Sequence, residues 1–285
     1  MKYAVTVMLL ATLAAPAIHA AVPDQDDALR LEPKWRSLDR DADGAVSLEE
    51  LHPIQARAMA AHDADANGEI SLAEYVSFDL DPGNAAATPT PENVTLVEDL
   101  AYAGTSDPRQ QLDIILPVSR SDAESLPVIA YVHGGGWAVG SKVSARTQMF
   151  PLVATGRYAA VSIGYRLSWQ DNWPAQIHDL KAALRWIRAN ASRYGLDADR
   201  ICAFGPSAGG HLVAMLGTTN GEGSFEGDLG EHRDESSDVQ CVVDFFGPTD
   251  LRDADALDRL GQPSMVTQLL GAPASDLPEL AAQAS

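Results

Sequence analysis

The stretch RICAFGPSAGGHLVAML, residues 200–216, decides the fold. Residues 201–204 are apolar and strand-like, and residues 211–216 continue as an apolar helix. Between them Gly205, Pro206, Ser207, Ala208 and Gly209 spell G-x-S-x-G at a strand-to-helix turn. Such a turn lifts the Ser above the end of its strand, where its hydroxyl can act as a nucleophile. Glycines flank the Ser because the tight turn brings backbone too close for a Cβ. The pentapeptide alone is a weak signal, so its surroundings must support it.

They do so upstream. His133, Gly134, Gly135, Gly136 and Trp137 follow an apolar run at 127–132. Cleavage of an acyl bond passes through a tetrahedral oxyanion, which backbone N–H groups aimed in advance can stabilise. Glycines allow the backbone to approach closely. The spacing assigns the oxyanion hole to the amides of Gly135 and Gly136 together with Ala208, the residue after the nucleophile. A phosphate-cradling loop is the competing reading, but the Lys and the helix N-terminus that it requires are missing from the motif. Strand-like runs at 112–116, 127–132, 158–163, 200–204 and 239–246 enclose a helical pattern at 174–194, carried by Ile177, Leu180, Leu184, Trp186 and Ile187. Alternation of this kind predicts an α/β fold with a mostly parallel sheet covered by helices.

A second pattern occupies the acidic N-terminal part. Residues 21–93 hold 16 acidic and 5 basic side chains. Asp39, Asp41, Asp43, Gly44 and Glu50 fall at positions 1, 3, 5, 6 and 12 of a loop, and Asp63, Asp65, Asn67, Gly68 and Glu74 repeat the spacing. This is the EF-hand calcium loop. Alternate carboxylates converge on the ion, Gly at position 6 supplies the sharp turn, the carbonyls of Ala45 and Glu69 at position 7 add ligands, and the final Glu closes the site. Val46 and Ile70 at position 8 are apolar, as expected where paired loops touch. Two calcium ions are predicted. Leu31, Trp35 and Leu38 suit an entering helix, Tyr75 and Phe78 follow the second loop, and Pro53 is expected to break the short connection so that the loops fold back together. The composition of residues 81–93, rich in Pro, Ala and Thr, reads as a semi-stiff linker between an EF-hand pair at 24–80 and the domain from 94 onward.

The remaining features bound the setting. Lys2, a largely apolar run at 4–15, Pro16 and small residues ending at Ala20 and Ala21 have the layout of a signal peptide over 1–20, with the mature protein secreted or periplasmic. The run is too short to span a bilayer. Twenty Lys+Arg against 40 Asp+Glu give a net charge of -20, which disfavours nucleic acid as a partner. Cys202 and Cys241 fall on neighbouring strand-like runs and read as buried free thiols rather than a disulfide. Trp137, Trp169 and Trp173 suit either a substrate cleft or core packing.

The motifs at 133–137 and 205–212, with Gly164 to Ser168, the helix carrying Asp179, and Asp244 to Leu251, resemble the α/β-hydrolase carboxylesterases of the hormone-sensitive-lipase and acetyl or feruloyl esterase type. The resemblance covers 94–285. It implies an α/β-hydrolase fold, a serine esterase working through an acyl-enzyme at Ser207, no catalytic cofactor, and an ester of a small molecule or of a polysaccharide as substrate. It also implies a triad Asp and His after Ser207. Only His211 and His232 follow. The first points along its own helix, the second sits in a charged loop before the 239–246 run, and Asp250 falls in a structural turn. The expectation is therefore an incomplete hydrolase domain whose acid and base lie beyond residue 285, leaving this chain inactive on its own. A calcium-dependent binding or scaffold protein with a non-catalytic hydrolase half remains open, as does an amide or formamide hydrolase.

Overall fold

The computed structural model describes residues 32, 35, 36, 38, 39, 41, 43–51, 53–60, 62–75, 88–119, 125–252 and 264–285. The leader expected at 1–20, Leu31, Phe78 and the first half of the expected 81–93 linker lie outside the described residues.

Six strands form one sheet: β1 (Val94–Ala101), β2 (Gln111–Pro117), β3 (Leu126–Val132), β4 (Ala159–Ile163), β5 (Leu196–Pro206) and β6 (Cys241–Phe245), in the spatial order β1-β2-β4-β3-β5-β6. β1–β2 and β2–β4 pair antiparallel, while β3 pairs parallel with β4 and β5, and β5 with β6. The sheet divides the apolar residues by the period of two that a strand imposes. Val128, Ala130 and Val132 of β3 join one buried cluster, and Tyr131 joins the other. Two helices cover the first face. They are α3 (Ala175–Tyr194), which buries Ile177, Leu180, Leu184 and Ile187 and ends at left-handed Gly195, and α4 (Ala208–Thr218). On the opposite face α2 (Ala145–Val153) sets Met149, Phe150 and Val153 against Ile115, Tyr131 and Ala160. Covered on both sides, the strands read as the continuous apolar runs found in the sequence. β1 is an edge strand with a half-exposed pattern and a register shift between Val97 and Leu100, which is why no apolar run announced it.

The two acidic loops lie side by side. Ser47 and Glu69 form an antiparallel bridge, Ile70 N–H donates to the Val46 carbonyl at 2.7 Å, and both position-8 side chains are fully buried. A short helix between them, α1 (Pro53–Met59), begins at Pro53, so the connection is broken at the proline as expected, with a new helix opening there. Trp35 donates its indole N–H to the Ile70 carbonyl at 2.8 Å. These residues share a buried cluster with the α3–α4 face of the sheet.

One expectation is corrected. Cys202 and Cys241 are joined as a disulfide, and among the described residues no cysteine is free. Parallel pairing of β5 and β6 sets the two directly opposite each other, with Cα atoms 4.6 Å apart, within disulfide reach. Strand register, which local sequence does not reveal, decides this.

Candidate active site

β5 delivers Ser207 to the start of α4 with φ 53 and ψ −122, a conformation that a side chain rarely adopts. Its N–H is held by the Phe245 carbonyl at 2.9 Å, at the end of β6. The flanking glycines are obligatory: a Cβ on Gly205 would lie 2.4 Å from the Gly209 carbonyl oxygen, and one on Gly209 would lie 2.2 Å from that of Val132. Ala208 is the first residue of α4, so its N–H has no helical carbonyl to bond and remains available to a ligand.

The loop after β3 meets this turn. A Cβ on Gly134 would lie 2.8 Å from the Pro206 carbonyl oxygen and 3.4 Å from Ser207 Cβ, so the glycine loop and the turn that carries Ser207 are in van der Waals contact. Gly135, Gly136 and Trp137 have φ of 120, 59 and 57, a run of left-handed residues that reverses the chain above the strand ends. Ala138 and Val139 N–H close the reversal on the Gly135 carbonyl at 3.1 and 3.0 Å. The sequence-predicted Ser207, Gly135, Gly136 and Ala208 thus come together at one end of the central strands.

Buried side chains hold the loop from behind. The His133 ring stacks on Tyr165 at 4.2 Å, and its Nδ1 is 2.8 Å from the Gly134 carbonyl. Burial, reinforced by the Arg109 charge and opposed by the Gly134 carbonyl, pushes the His133 pKa down to about 3, so the ring is neutral. Tyr165 Oη donates to the His133 carbonyl at 2.9 Å, and Arg109 donates to the Gly140 carbonyl at 2.7 Å. Asp179 on α3 receives the Arg166 amide at 2.8 Å, its guanidinium at 2.9–3.2 Å and Gln110 Nε2 at 2.8 Å, which pins the segment after β4.

His211 is structural. Trp137 Nε1 donates to its Nδ1 at 3.2 Å, which places the ring proton on Nε2, and Nε2 donates to the Ala284 carbonyl at 2.7 Å. With both nitrogens engaged it has no lone pair for the Ser207 hydroxyl. His232 lies in the loop before β6, and Asp250 pairs with Arg252 at 2.6 Å on the surface. Among the described residues, no histidine is hydrogen-bonded to Ser207. Trp137, Trp169 and Trp173 are 3–4% exposed and belong to the core rather than to a cleft. What the sequence reading missed is Met265, at the start of α5 (Met265–Leu270): its side chain packs 3.0 Å from the position of a Gly136 Cβ. No local signal marks it, because the contact joins segments far apart in the chain.

The acidic loops suit a hard cation. Asp39, Asp41 and Asp43 bring carboxylate oxygens within 4.8 Å of one another, as do Asp63, Asp65 and Glu74. Gly44 and Gly68 adopt φ of 92 and 85, the sharp turn required at position 6. Asp43 and Gly44 N–H donate to Asp39 at 3.2 and 3.0 Å, Asn67 and Gly68 donate to Asp63 at 3.1 and 2.9 Å, and Ser47 donates to Glu50 at 2.7 Å, curling each loop around its carboxylates.

A mostly parallel sheet with helices on both faces and a Ser at this strand-to-helix turn defines an α/β-hydrolase fold. Residues 112–285 match the BD-FAE family, and the chain belongs to that family. It is 35% identical over 155 residues to esterase LipC of Mycobacterium tuberculosis, covering 54% of this chain and 37% of that protein. With carboxylesterase NlhH of the same organism it shares 42% over 94 residues, covering 33% of this chain and 29% of the relative. A solved truncated form of carbohydrate esterase from gut microbiota superposes with a TM-score of 0.61 at 32% identity, covering 69% of this chain and 73% of that one. The chain spans well under half the length of these curated relatives. Among the described residues no helix is long and apolar enough to cross a membrane.

Proposed function

We propose that the chain is the nucleophile-bearing part of a secreted carboxylic-ester hydrolase with two calcium sites. The observation that carries the ester reading is the contact of the 134–136 glycine loop with the turn that presents Ser207. The Ser207 hydroxyl attacks the acyl carbon. The carbonyl oxygen becomes an oxyanion held by the amides of Gly135, Gly136 and Ala208, and the alcohol departs with a proton. A hydroxyl at neutral pH needs a base to accept its proton, and His211 is occupied elsewhere. The base and its acid partner are therefore placed in the length of the curated relatives that this chain does not span. The esterase and carbohydrate-esterase names of its relatives support a small acyl or carbohydrate-linked ester as substrate.

Calcium is placed on Asp39, Asp41, Asp43, Glu50 and the Ala45 carbonyl in one loop, and on Asp63, Asp65, Asn67, Glu74 and the Glu69 carbonyl in the other. When bound it supplies charge that gathers each set of carboxylates, and none of these residues belongs to the nucleophile turn. Hydrolysis of p-nitrophenyl acetate by the protein extended to the relatives' length tests the catalytic assignment. Ser207→Ala lowers the rate by about 10⁴-fold or more, because covalent catalysis disappears while oxyanion and binding contributions stay. A variant with unchanged turnover overturns it.

A further inference from the structure

The paired acidic loops are attached to the back of the glycine loop by two separate paths. Glu74, the residue that closes the second loop, is followed at once by Tyr75, which is fully buried and meets the Trp169 ring edge-on at 5.4 Å. Trp169 Nε1 donates to the Ala138 carbonyl at 2.9 Å, and the preceding Ser168 donates its N–H to the Trp137 carbonyl at 2.7 Å. The Arg109 guanidinium, which holds the Gly140 carbonyl, lies 6.0 Å from the Trp169 ring. One aromatic contact therefore separates the second loop from the two residues that follow Gly136. The other path starts on α1. Gln55, fully buried, accepts a hydrogen bond from Gln268 Nε2 at 3.0 Å. Gln268 is on α5, whose first residue, Met265, packs over Gly136. Asn172 and Trp173 tie the same helix to the Trp169 segment through the Gln268 and Leu269 carbonyls.

We propose that the paired loops are a metal-loaded brace for the oxyanion loop, with Tyr75 and Gln55 as its positioning residues. The proposal rests on the calcium and ester-hydrolase readings above. The Gly135 and Gly136 amides lie in a run of left-handed residues that ends at Trp137, and a non-glycine residue keeps that conformation only when its surroundings over-determine it. Trp169 and α5 supply that support, and the paired loops back both. Closure of the second loop by Glu74 draws in the turn that carries Tyr75 and so seats its ring on Trp169. Because coupling between two sites is reciprocal, the ordered oxyanion loop strengthens calcium binding by the same factor that calcium stabilises the loop, and loss of the Trp169 ring, which carries the coupling, weakens calcium binding.

Hydrogen exchange of the 285-residue chain, followed peptide by peptide with and without calcium beside a calorimetric calcium titration, tests this. Calcium slows exchange across 133–140 by about fivefold or more in the wild type and in Tyr75→Phe, which keeps the ring. The slowing is lost in Tyr75→Ala and Trp169→Ala, and Trp169→Ala binds calcium correspondingly more weakly. Gln55→Ala, which leaves the aromatic contact intact, halves the effect or more, and serves where Trp169→Ala does not fold. Calcium uptake with no change across 133–140, or an undiminished change in Tyr75→Ala, overturns the brace while leaving the calcium reading standing. No uptake in the titration overturns both.

Discussion

At the scale of single residues, the site is built by backbone strain that neighbouring atoms impose. Ser207 and Trp137 sit in left-handed conformations, and Gly134, Gly205 and Gly209 leave no room for a Cβ. His133 shows how the loop is supported: a neutral imidazole stacks on Tyr165 where burial disfavours the charged form. Its folded pKa of about 3 lies below the ordinary 6.5, so only the unfolded state takes up its proton between those values. The stability it protects is therefore present above pH 6.5 and is lost as pH falls below it, by roughly 1 kcal/mol per pH unit from this group. Unfolding free energy measured in denaturant from pH 7 to 4 contains that slope beside the carboxylates' share. His133→Asn, which cannot take up a proton, lowers the slope by about one proton, and an unchanged slope refutes the account.

At the scale of elements, two junctions carry most of the consequence. The Cys202–Cys241 disulfide joins the strand that delivers Ser207 to the strand whose Phe245 carbonyl holds the Ser207 amide. It closes a loop of 39 residues, and its removal frees the unfolded chain. Cys241→Ser is expected to cost about 2–4 kcal/mol in denaturant unfolding, and reduction of the wild type to cost a similar amount. The other junction is the bridged pair of acidic loops. Full-chain calorimetry is expected to show two calcium ions and a raised Tm on loading. Glu50→Gln removes one site and weakens the other, because the bridge of Ser47 to Glu69 couples the two loops. A Glu50→Gln chain that still takes up two ions with wild-type affinity refutes the ligand assignment.

Over the whole molecule, β6 is an edge of the sheet among the described residues, and Val243, Phe245 and Phe246 are 43%, 56% and 69% exposed. A terminal strand with this much apolar surface is a template for pairing with another chain. The 285-residue chain is therefore expected to associate at micromolar concentration, and Val243→Lys, which charges the edge, to restore a monomer in size-exclusion chromatography with light scattering. A monodisperse wild type would refute this. The large negative charge opposes association only weakly at physiological salt, since repulsion is screened beyond about 8 Å.

How much of this was legible beforehand follows from the range of each interaction. The Ser207 turn, the glycine loop, α3 and the acidic-loop spacing are all local, and local chemistry is written in consecutive residues: G-x-S-x-G, a glycine triplet, a 3.6-residue stripe and alternating carboxylates. The parallel strands could be read because burial on both faces makes them continuous apolar runs, whereas β1, half exposed at an edge, carried no such run. What tertiary structure alone decided are relations between distant segments. Register put Cys202 opposite Cys241 and turned two expected thiols into a disulfide. Packing consigned three tryptophans to the core, set Met265 over Gly136, and brought Tyr75 onto Trp169 across a compositional linker that read as a boundary. Each of these contacts depends on where helices and strands come to rest against one another, and the chain encodes that only through the sum of its buried surfaces.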